Sequence, residues 1–301
     1  MTSLNEPSIS IVINCYNGEQ YLDQALDSVF SQTFTNWEIV FWDNQSTDRS
    51  ALLVSQRKDP RIHYYYAPEH TVLGEARNLA IAQANGDWVA FLDCDDLWFP
   101  EKLALQVNLI KQYGADLGLV YSRTECLLEK EGRETKWGRK LATSSRLSKK
   151  PYLPQGDIFT DMLCANYVPL VSALVRRSAL TKIGGLNPHF KQAEDYELFV
   201  KISRTHAVAA VDAITCQFRV HNNNWSHSQA EISYTESIAI VEQYLPNPAA
   251  QNGAALWRAK YAGYLISKFR VNEAIVEIVK SGKYGYIFFQ AFAKVFRINL
   301  K

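Results

Sequence analysis

Cysteine is scarce in this chain, and its pattern offers no pairing. Cys15, Cys94, Cys126, Cys164 and Cys216 are odd in number, widely spaced and without a CxxC. That excludes a disulfide framework and a cysteine zinc site, and points to free thiols in a reducing compartment. Long apolar runs are absent: no stretch reaches the ~18 apolar residues of a membrane span. The opening MTSLNEPSIS has no basic segment leading into an apolar one. No signal peptide is expected, and the main body of the protein is placed in the cytoplasm. No G-x-G-x-x-G follows a strand, which argues against a nicotinamide dehydrogenase. An excess of one charge is missing too, with 32 Lys and Arg against 31 Asp and Glu. No nucleic acid is therefore expected as a partner. Internal repeats and low-complexity tracts are not visible.

What remains is an ordinary globular composition, 47% hydrophobic and 21% charged over 301 residues. That length buries a sizeable core and suits one large α/β domain with an appendage. Charge is distributed unevenly. From Arg258 onward nine bases face only Glu273 and Glu277, a balance of about +7 that leaves the rest near −6. With Pro246-Asn247-Pro248 as punctuation, the expected units are residues 1–228 and a helical extension, 229–301.

The first half alternates between apolar runs and amphipathic segments. Strands are expected at 9–13, 37–42, 61–66, 88–92 and 117–121. Helices are expected at 19–31, from Thr47 (capped by Ser46 or Thr47), at 74–84 and from Pro100. Such alternation predicts an α/β fold, a mostly parallel sheet with helices on both faces. Residues 122–153 read as a hairpin or mobile loop. A helix is expected at 157–166, a strand at 171–175, a helix at 193–204, and strands near 207–211 and 215–220. Ligands of parallel sheets bind beyond the carboxyl ends of the strands. CYN, DNQSTD and DCDD each follow a strand there, so three distant stretches should converge on one crevice.

Three acidic clusters carry the chemistry. Asp93, Asp95 and Asp96 repel one another unless a cation compensates, and Mg2+ or Mn2+ takes such oxygens while leaving room for phosphate. A solvated turn of capping aspartates would look the same. Asp43 to Asp48 could be an Asx-rich turn or could offer a carboxylate to a base-ring N–H. Glu194-Asp195 opens an amphipathic helix, where carboxylates favour the dipole or serve as a general base in a cleft.

Taken together, INCYNGEQYL, DNQSTDRS, GEARNLAIAQANGDWVAFLDCDD, ALVRRSALTKIGGLN and QAEDYELFVKI resemble family-2 glycosyltransferases of the GT-A, Rossmann-like fold, over about residues 8–225. The resemblance implies a nucleotide-sugar donor, a divalent metal (Mn2+ or Mg2+) and inversion at the anomeric carbon. It places Cys15, Tyr16, Asn17 and Glu19 in the nucleoside loop, with Tyr16 packing on the base and Asp43 accepting from it. Arg77 would reach the nucleotide and Asp93 the ribose. Asp95 would ligate the metal, with Asp96 supporting it or touching the donor sugar. His221 would lie near the diphosphate or metal. Asp195 would be the catalytic base, and Glu194 its neighbour facing the acceptor. Two departures stand out: Asn14-Cys15 where the family commonly has proline and threonine or valine, and Asn44-Gln45 where it has an acid and a glycine. The Q-x-x-R-W signature of processive synthases is missing, and Trp225 does not supply it.

The expected reaction moves one sugar from a nucleotide-sugar, a UDP-sugar favoured, to a hydroxyl of a glycan or lipid-linked acceptor, in surface polysaccharide biosynthesis. Alternatives are a non-catalytic nucleotide-sugar-binding scaffold and an aspartate-based phosphohydrolase. The aromatic, basic residues 283–301 suit an anionic membrane surface, making the protein peripheral at the inner face of the cell membrane, or a contact with the body or a homodimer partner.

Overall fold

The computed structural model describes residues 6–129, 152–221, 224 and 229–282. The first strand, β1 (Ile9–Cys15), is buried at every position, as a strand covered on both faces must be. It sends Ile9, Ile11 and Ile13 into one core and Val12 into the other. β2 (Trp37–Asp43), β3 (Ile62–Tyr66) and β4 (Trp88–Phe91) complete a parallel set with it. The crossovers are α1 (Leu22–Phe30), α2 (Ser50–Gln56) and α3 (Leu73–Ala82). α2 starts later than expected, and neither Ser46 nor Thr47 caps it. Asp48 Oδ1 accepts the Ser50 N–H instead, at 2.9 Å.

The second half departs from simple alternation. It runs β5 (Leu97–Trp98), α4 (Lys102–Tyr113), β6 (Leu117–Leu128), α5 (Phe159–Cys164), β7 (Leu174–Arg176), α6 (Arg177–Ile183), α7 (Glu194–Ser203) and β8 (Ala207–Val220). The sheet order is β3-β2-β1-β4-β7-β6-β8-β5. β7 lies antiparallel between β4 and β6, β5 is antiparallel to β8, and β6 and β8 are parallel. Three expectations are corrected. Residues 122–128 extend β6 rather than opening a loop. The chain at Leu170–Ser172 is a 3-10 turn, so that strand begins only at Leu174. The two strands expected near 207–211 and 215–220 are one, β8, which stays continuous by absorbing register shifts opposite Ser122, Arg123 and Thr124.

Three helices follow: α8 (Ala230–Glu242), α9 (Pro248–Ser267) and α10 (Val271–Lys280). The Pro-Asn-Pro punctuation is a helix start, with Pro248 in the first turn and Asn247 Oδ1 accepting the Ala249 N–H at 2.8 Å. Ile240, Val241, Ala250 and Ala254 join Met162, Tyr196 and Leu198 in one core. α9 therefore packs onto α5 and α7. The expectations for residues 130–151, Trp225 and 283–301 lie outside the described residues. All five cysteines are free.

Gly253 marks the closest approach of α9 to the body: a β-carbon there would sit 2.2 Å from the Leu163 carbonyl oxygen. Gly253→Ala is expected to cost about 1–3 kcal/mol. Urea unfolding checks this, with a fall in midpoint expected.

Candidate active site

Strand register gathers the polar stretches on one rim. Cys15 is level with Asp43, and Asp43 with Tyr66, so three strands end together and their loops share an edge. The short β5 adds the acidic turn. By pairing Leu97 with Gln217, it holds residues 93–96 beside the end of β8.

That turn is clamped from β8. His221 Nε2 lies 3.0 Å from Asp95 Oδ2, and both keep some surface open to solvent. The Arg219 backbone N–H donates to Asp96 Oδ1 at 2.8 Å, and its Nε donates to the Asp95 carbonyl at 2.7 Å. The rest of the buried Arg219 guanidinium binds Glu129 and Gln24, above the Tyr21 ring. Among the described residues no three His, Cys, Asp or Glu side chains form a closed cage. A single open carboxylate beside an imidazole nevertheless fits Mg2+ or Mn2+, which take one or two protein carboxylates and fill their remaining positions with water and phosphate oxygens. Asp96 does not share that opening. It is buried, and burial, followed by the charges of Asp95 and Asp93, pushes its carboxyl well up.

The second centre is Arg77. It projects from α3, almost wholly buried, and donates to Glu194 Oε1 at 2.6 Å and to Asp93 Oδ1 at 2.8 Å. Burial works to lower its pKa, but the carboxylates of Asp93 and Glu194 outweigh burial and raise it. One fixed cation thus joins the acidic turn to the first turn of α7. Both of its arms end on protein carboxylates, where the sequence suggested a nucleotide.

Asp195 follows Glu194 and keeps part of its surface open. Its Oδ1 accepts the Tyr196 N–H at 2.6 Å. Burial first, then the neighbouring Glu194 charge, push its pKa up to about 7, with Arg77 opposing. Burial also raises Glu194 against the pull of Arg77, and Glu194 Oε2 is buried without a hydrogen-bond partner.

The nucleoside-loop candidates divide into two groups. Tyr16 is 55% exposed, its ring 4.5 Å from that of His70. Asn17, at φ 54°, accepts the Thr47 N–H at 2.8 Å and gives its own N–H to Ser46 Oγ. Glu19 Oε2 accepts the Arg49 N–H at 2.9 Å. Asp43 is fully buried and accepts from the Ser46 N–H and the Tyr64 hydroxyl, both at 2.7 Å. Its carboxylate therefore organises the loop from inside rather than facing the rim. Cys15 is buried against Ser50. A β-carbon on Gly18 would lie 2.8 Å from the sulfurs of both Cys15 and Cys94, so this loop and the acidic turn are in direct contact. Gln45 stands at φ 70° where the family commonly has glycine, and its Nε2 donates to the Pro68 carbonyl at 2.9 Å.

Sequence reasoning missed four supports. His70 flanks Tyr16. Arg219, the penultimate residue of β8, lies two residues before His221, which follows the strand's end, a spacing that period-2 reading could have used. Asn78, next to Arg77, exchanges hydrogen bonds with Leu186 at 2.8 and 2.9 Å and pins the loop ahead of α7. Glu236 of α8 accepts three successive backbone N–H groups, from Lys191, Gln192 and Ala193, at 2.8, 2.9 and 3.0 Å. No local pattern announces that clasp.

Glu236→Ala strands those three donors just ahead of Glu194-Asp195. Turnover is expected to fall roughly 10–100-fold, the scale of a catalytic group displaced by about 1 Å. The dissociation constant for donor should stay within about twofold, since no donor-side contact is lost, and Glu236→Gln should be intermediate. Steady-state kinetics with calorimetric donor titration check this.

An uncharacterized glycosyltransferase of Rickettsia typhi is 28% identical over 216 residues, covering 72% of this chain and 65% of that protein. The chain spans less than two thirds of that relative, and 37% of an uncharacterized glycosyltransferase of Rickettsia bellii. The Escherichia coli UDP-Glc:alpha-D-GlcNAc-diphosphoundecaprenol beta-1,3-glucosyltransferase WfgD is 23% identical over 248 residues, covering 81% of this chain and 88% of WfgD. S. aureus TarS 1-349 in complex with UDP-GlcNAc superposes with a TM-score of 0.66 at 17% identity, over 92% of this chain and 80% of TarS 1-349. The Pyrobaculum calidifontis mannosyltransferase PcManGT, in complex with GDP-Man and Mn2+, gives 0.63 at 16% identity, over 97% of this chain and 81% of its own. These structures show the fold to be GT-A. Residues 10–167, about half of the chain, match the family described as glycosyl transferase family 2, and the chain belongs to that family.

Proposed function

We propose that this protein transfers a sugar from a UDP-sugar to a hydroxyl of a lipid-linked glycan acceptor, with inversion, in the building of a cell-surface polysaccharide, and that it works at the membrane surface. The observation that carries the reading is the bridge Asp93–Arg77–Glu194 with Asp195 beside it. It joins an acidic turn suited to a nucleoside diphosphate to a half-open carboxylate suited to an acceptor. A UDP-sugar is favoured because WfgD is named for UDP-Glc and TarS was solved with UDP-GlcNAc. The name of WfgD also motivates the lipid-linked acceptor. No helix among the described residues is long and apolar enough to cross a membrane.

The chain's own groups divide the work. Tyr16 and His70 offer ring faces to the base, and Asp93 offers its free oxygen to the ribose. Asp195 takes the proton of the acceptor hydroxyl as that oxygen attacks the anomeric carbon. The bond from this carbon to the phosphate oxygen breaks on the opposite face, and UDP leaves. Glu194, held by Arg77, fixes the first turn of α7 and with it the position of Asp195. Asp95 and His221 would hold Mn2+ or Mg2+, which supplies Lewis-acid stabilisation of the leaving diphosphate.

A base must be ionised to work. With Asp195 near 7, kcat/KM should rise with pH through about 7 and level off above it. Asp195→Asn should remove that limb and lower turnover by about 10²–10⁴-fold while donor still binds. UDP release measured against pH, with and without acceptor, checks both. In a thermal-shift screen of UDP-, GDP- and dTDP-sugars with Mn2+, the UDP-sugar should give the largest shift. Chelator or Asp95→Ala should abolish it. Equal shifts with and without chelator would remove the metal from donor binding.

A further inference from the structure

Two thiols that the proposed reaction does not use meet beneath it. β1 and β4 are parallel neighbours, paired from Ile9 with Trp88 to Val12 with Phe91. The Leu92 N–H, donating to the Val12 carbonyl at 3.1 Å, carries that pairing a step further. Continued past the ladder, the same register sets Cys15, the last residue of β1, level with Cys94 in the acidic turn. Register partners on adjacent strands stand about 5 Å apart, within the ~4.4–6.8 Å between α-carbons that a disulfide spans. Both sulfurs also lie on one face: Cys15 belongs to the core of Ile11, Ile13 and Leu22, and Cys94 packs against that core. A β-carbon on Gly18 would meet each sulfur at 2.8 Å, so the two converge on a single point. Their side chains are hydrogen-bonded to each other.

Burial alone does not demand this arrangement. A buried cysteine packs as a small hydrophobe, and Cys216, also buried, turns its thiol to the Val171 carbonyl at 3.4 Å. Cys15 is fixed from behind: its sulfur lies 3.5 Å from Ser50 Oγ, which accepts the Gly18 N–H at 3.0 Å. Cys94 keeps part of its surface open to solvent. A reachable thiol backed by a second, fixed one is the arrangement of a redox-sensing cysteine with its resolving partner.

We infer that Cys15 and Cys94 are a modification site for peroxide, closing to a reversible disulfide that slows sugar transfer. Hydrogen peroxide gives one oxygen to the Cys94 sulfur, leaving a sulfenic acid and one water. The Cys15 sulfur then attacks the Cys94 sulfur. The S–O bond breaks, the oxygen leaves as a second water with the Cys15 proton, and the S–S bond forms. The two thiols lose two electrons and the peroxide gains them. A dithiol reductant reverses the bond by exchange, so in a reducing compartment it is transient. A covalent bond draws the sulfurs closer than a hydrogen bond does, and pulls Cys94 toward β1. Its neighbours Asp93 and Asp95 are held elsewhere, by Arg77 at 2.8 Å and beside His221 at 3.0 Å. The pull works against both holds and shifts the turn assigned to the donor. The bond rests on the two thiols; only its effect on turnover rests on the proposed function.

The test treats the reduced full chain with hydrogen peroxide, then alkylates and digests it, with no sugar present. Mass spectrometry should find the peptides of Cys15 and Cys94 joined, and dithiothreitol should release them. UDP release from a UDP-sugar with acceptor and Mn2+ should fall roughly 10–100-fold against the chain's own reduced form, the scale of groups displaced by about 1 Å. Reduction should restore it. Cys94→Ser, compared with its own untreated form, should not respond to peroxide. Cys15→Ala should form no cross-link and should leave Cys94 as a sulfenic acid that dimedone labels; it carries the comparison if Cys94→Ser fails to fold. Absence of the cross-link would overturn the inference, as would a cross-link from either residue to Cys126, Cys164 or Cys216 instead. Equal peroxide sensitivity of Cys94→Ser and the unsubstituted chain would overturn it, and so would a cross-linked chain that turns over as fast as the reduced one. A chain that cross-links but transfers no sugar when reduced would count against the proposed function and support the modification site.

Discussion

The site depends on one buried cation. Arg77 holds both the acidic turn after β4 and the start of α7, and it does so far from solvent, where an unpaired charge is costly. Removing one partner of such a group typically costs 3–5 kcal/mol. One buried side chain thus fixes Asp93 and Glu194 relative to each other. This is how a fold assembles a reaction centre from residues more than a hundred positions apart.

The same cation settles a conflict among acids. Asp93, Asp95, Asp96, Glu194 and Asp195 crowd one rim, and burial opposes ionisation of several of them. The structure gives them different fates. Asp93 and Glu194 are held by a fixed positive charge. Asp96 turns inward to a backbone donor. Asp95 meets an imidazole at the surface. Asp195, with no cation of its own, is left near neutrality, where a carboxylate can both take and give a proton.

Much of this was legible in the sequence where burial acts locally. A strand covered on both faces must be largely apolar, so β1, β2 and β4 announced themselves, and the rim followed from where they end. The identities of Asp95, His221, Glu194 and Asp195 as neighbours came from a resemblance and not from periodicity. What stayed hidden depends on long-range pairing. The antiparallel insertion of β7 and the bulged continuity of β8 are settled by neighbouring strands, which no local window contains. Asp43 and Asp96 look like surface acids in the sequence because their inward partners, Tyr64 and Arg219, lie 21 and 123 residues away. Glu236 looks like any solvated helix glutamate until the backbone it clasps is in view.

Gly18 carries a consequence for how the site can move. With no room for even a methyl group between the sulfurs of Cys15 and Cys94, the strand-one loop and the acidic turn touch at the base of the crevice. Neither can swing outward without carrying or shearing past the other. In the proposed reaction, any widening of the crevice would therefore have to come from elsewhere along the rim. The contact ties the two loops into one unit at that point.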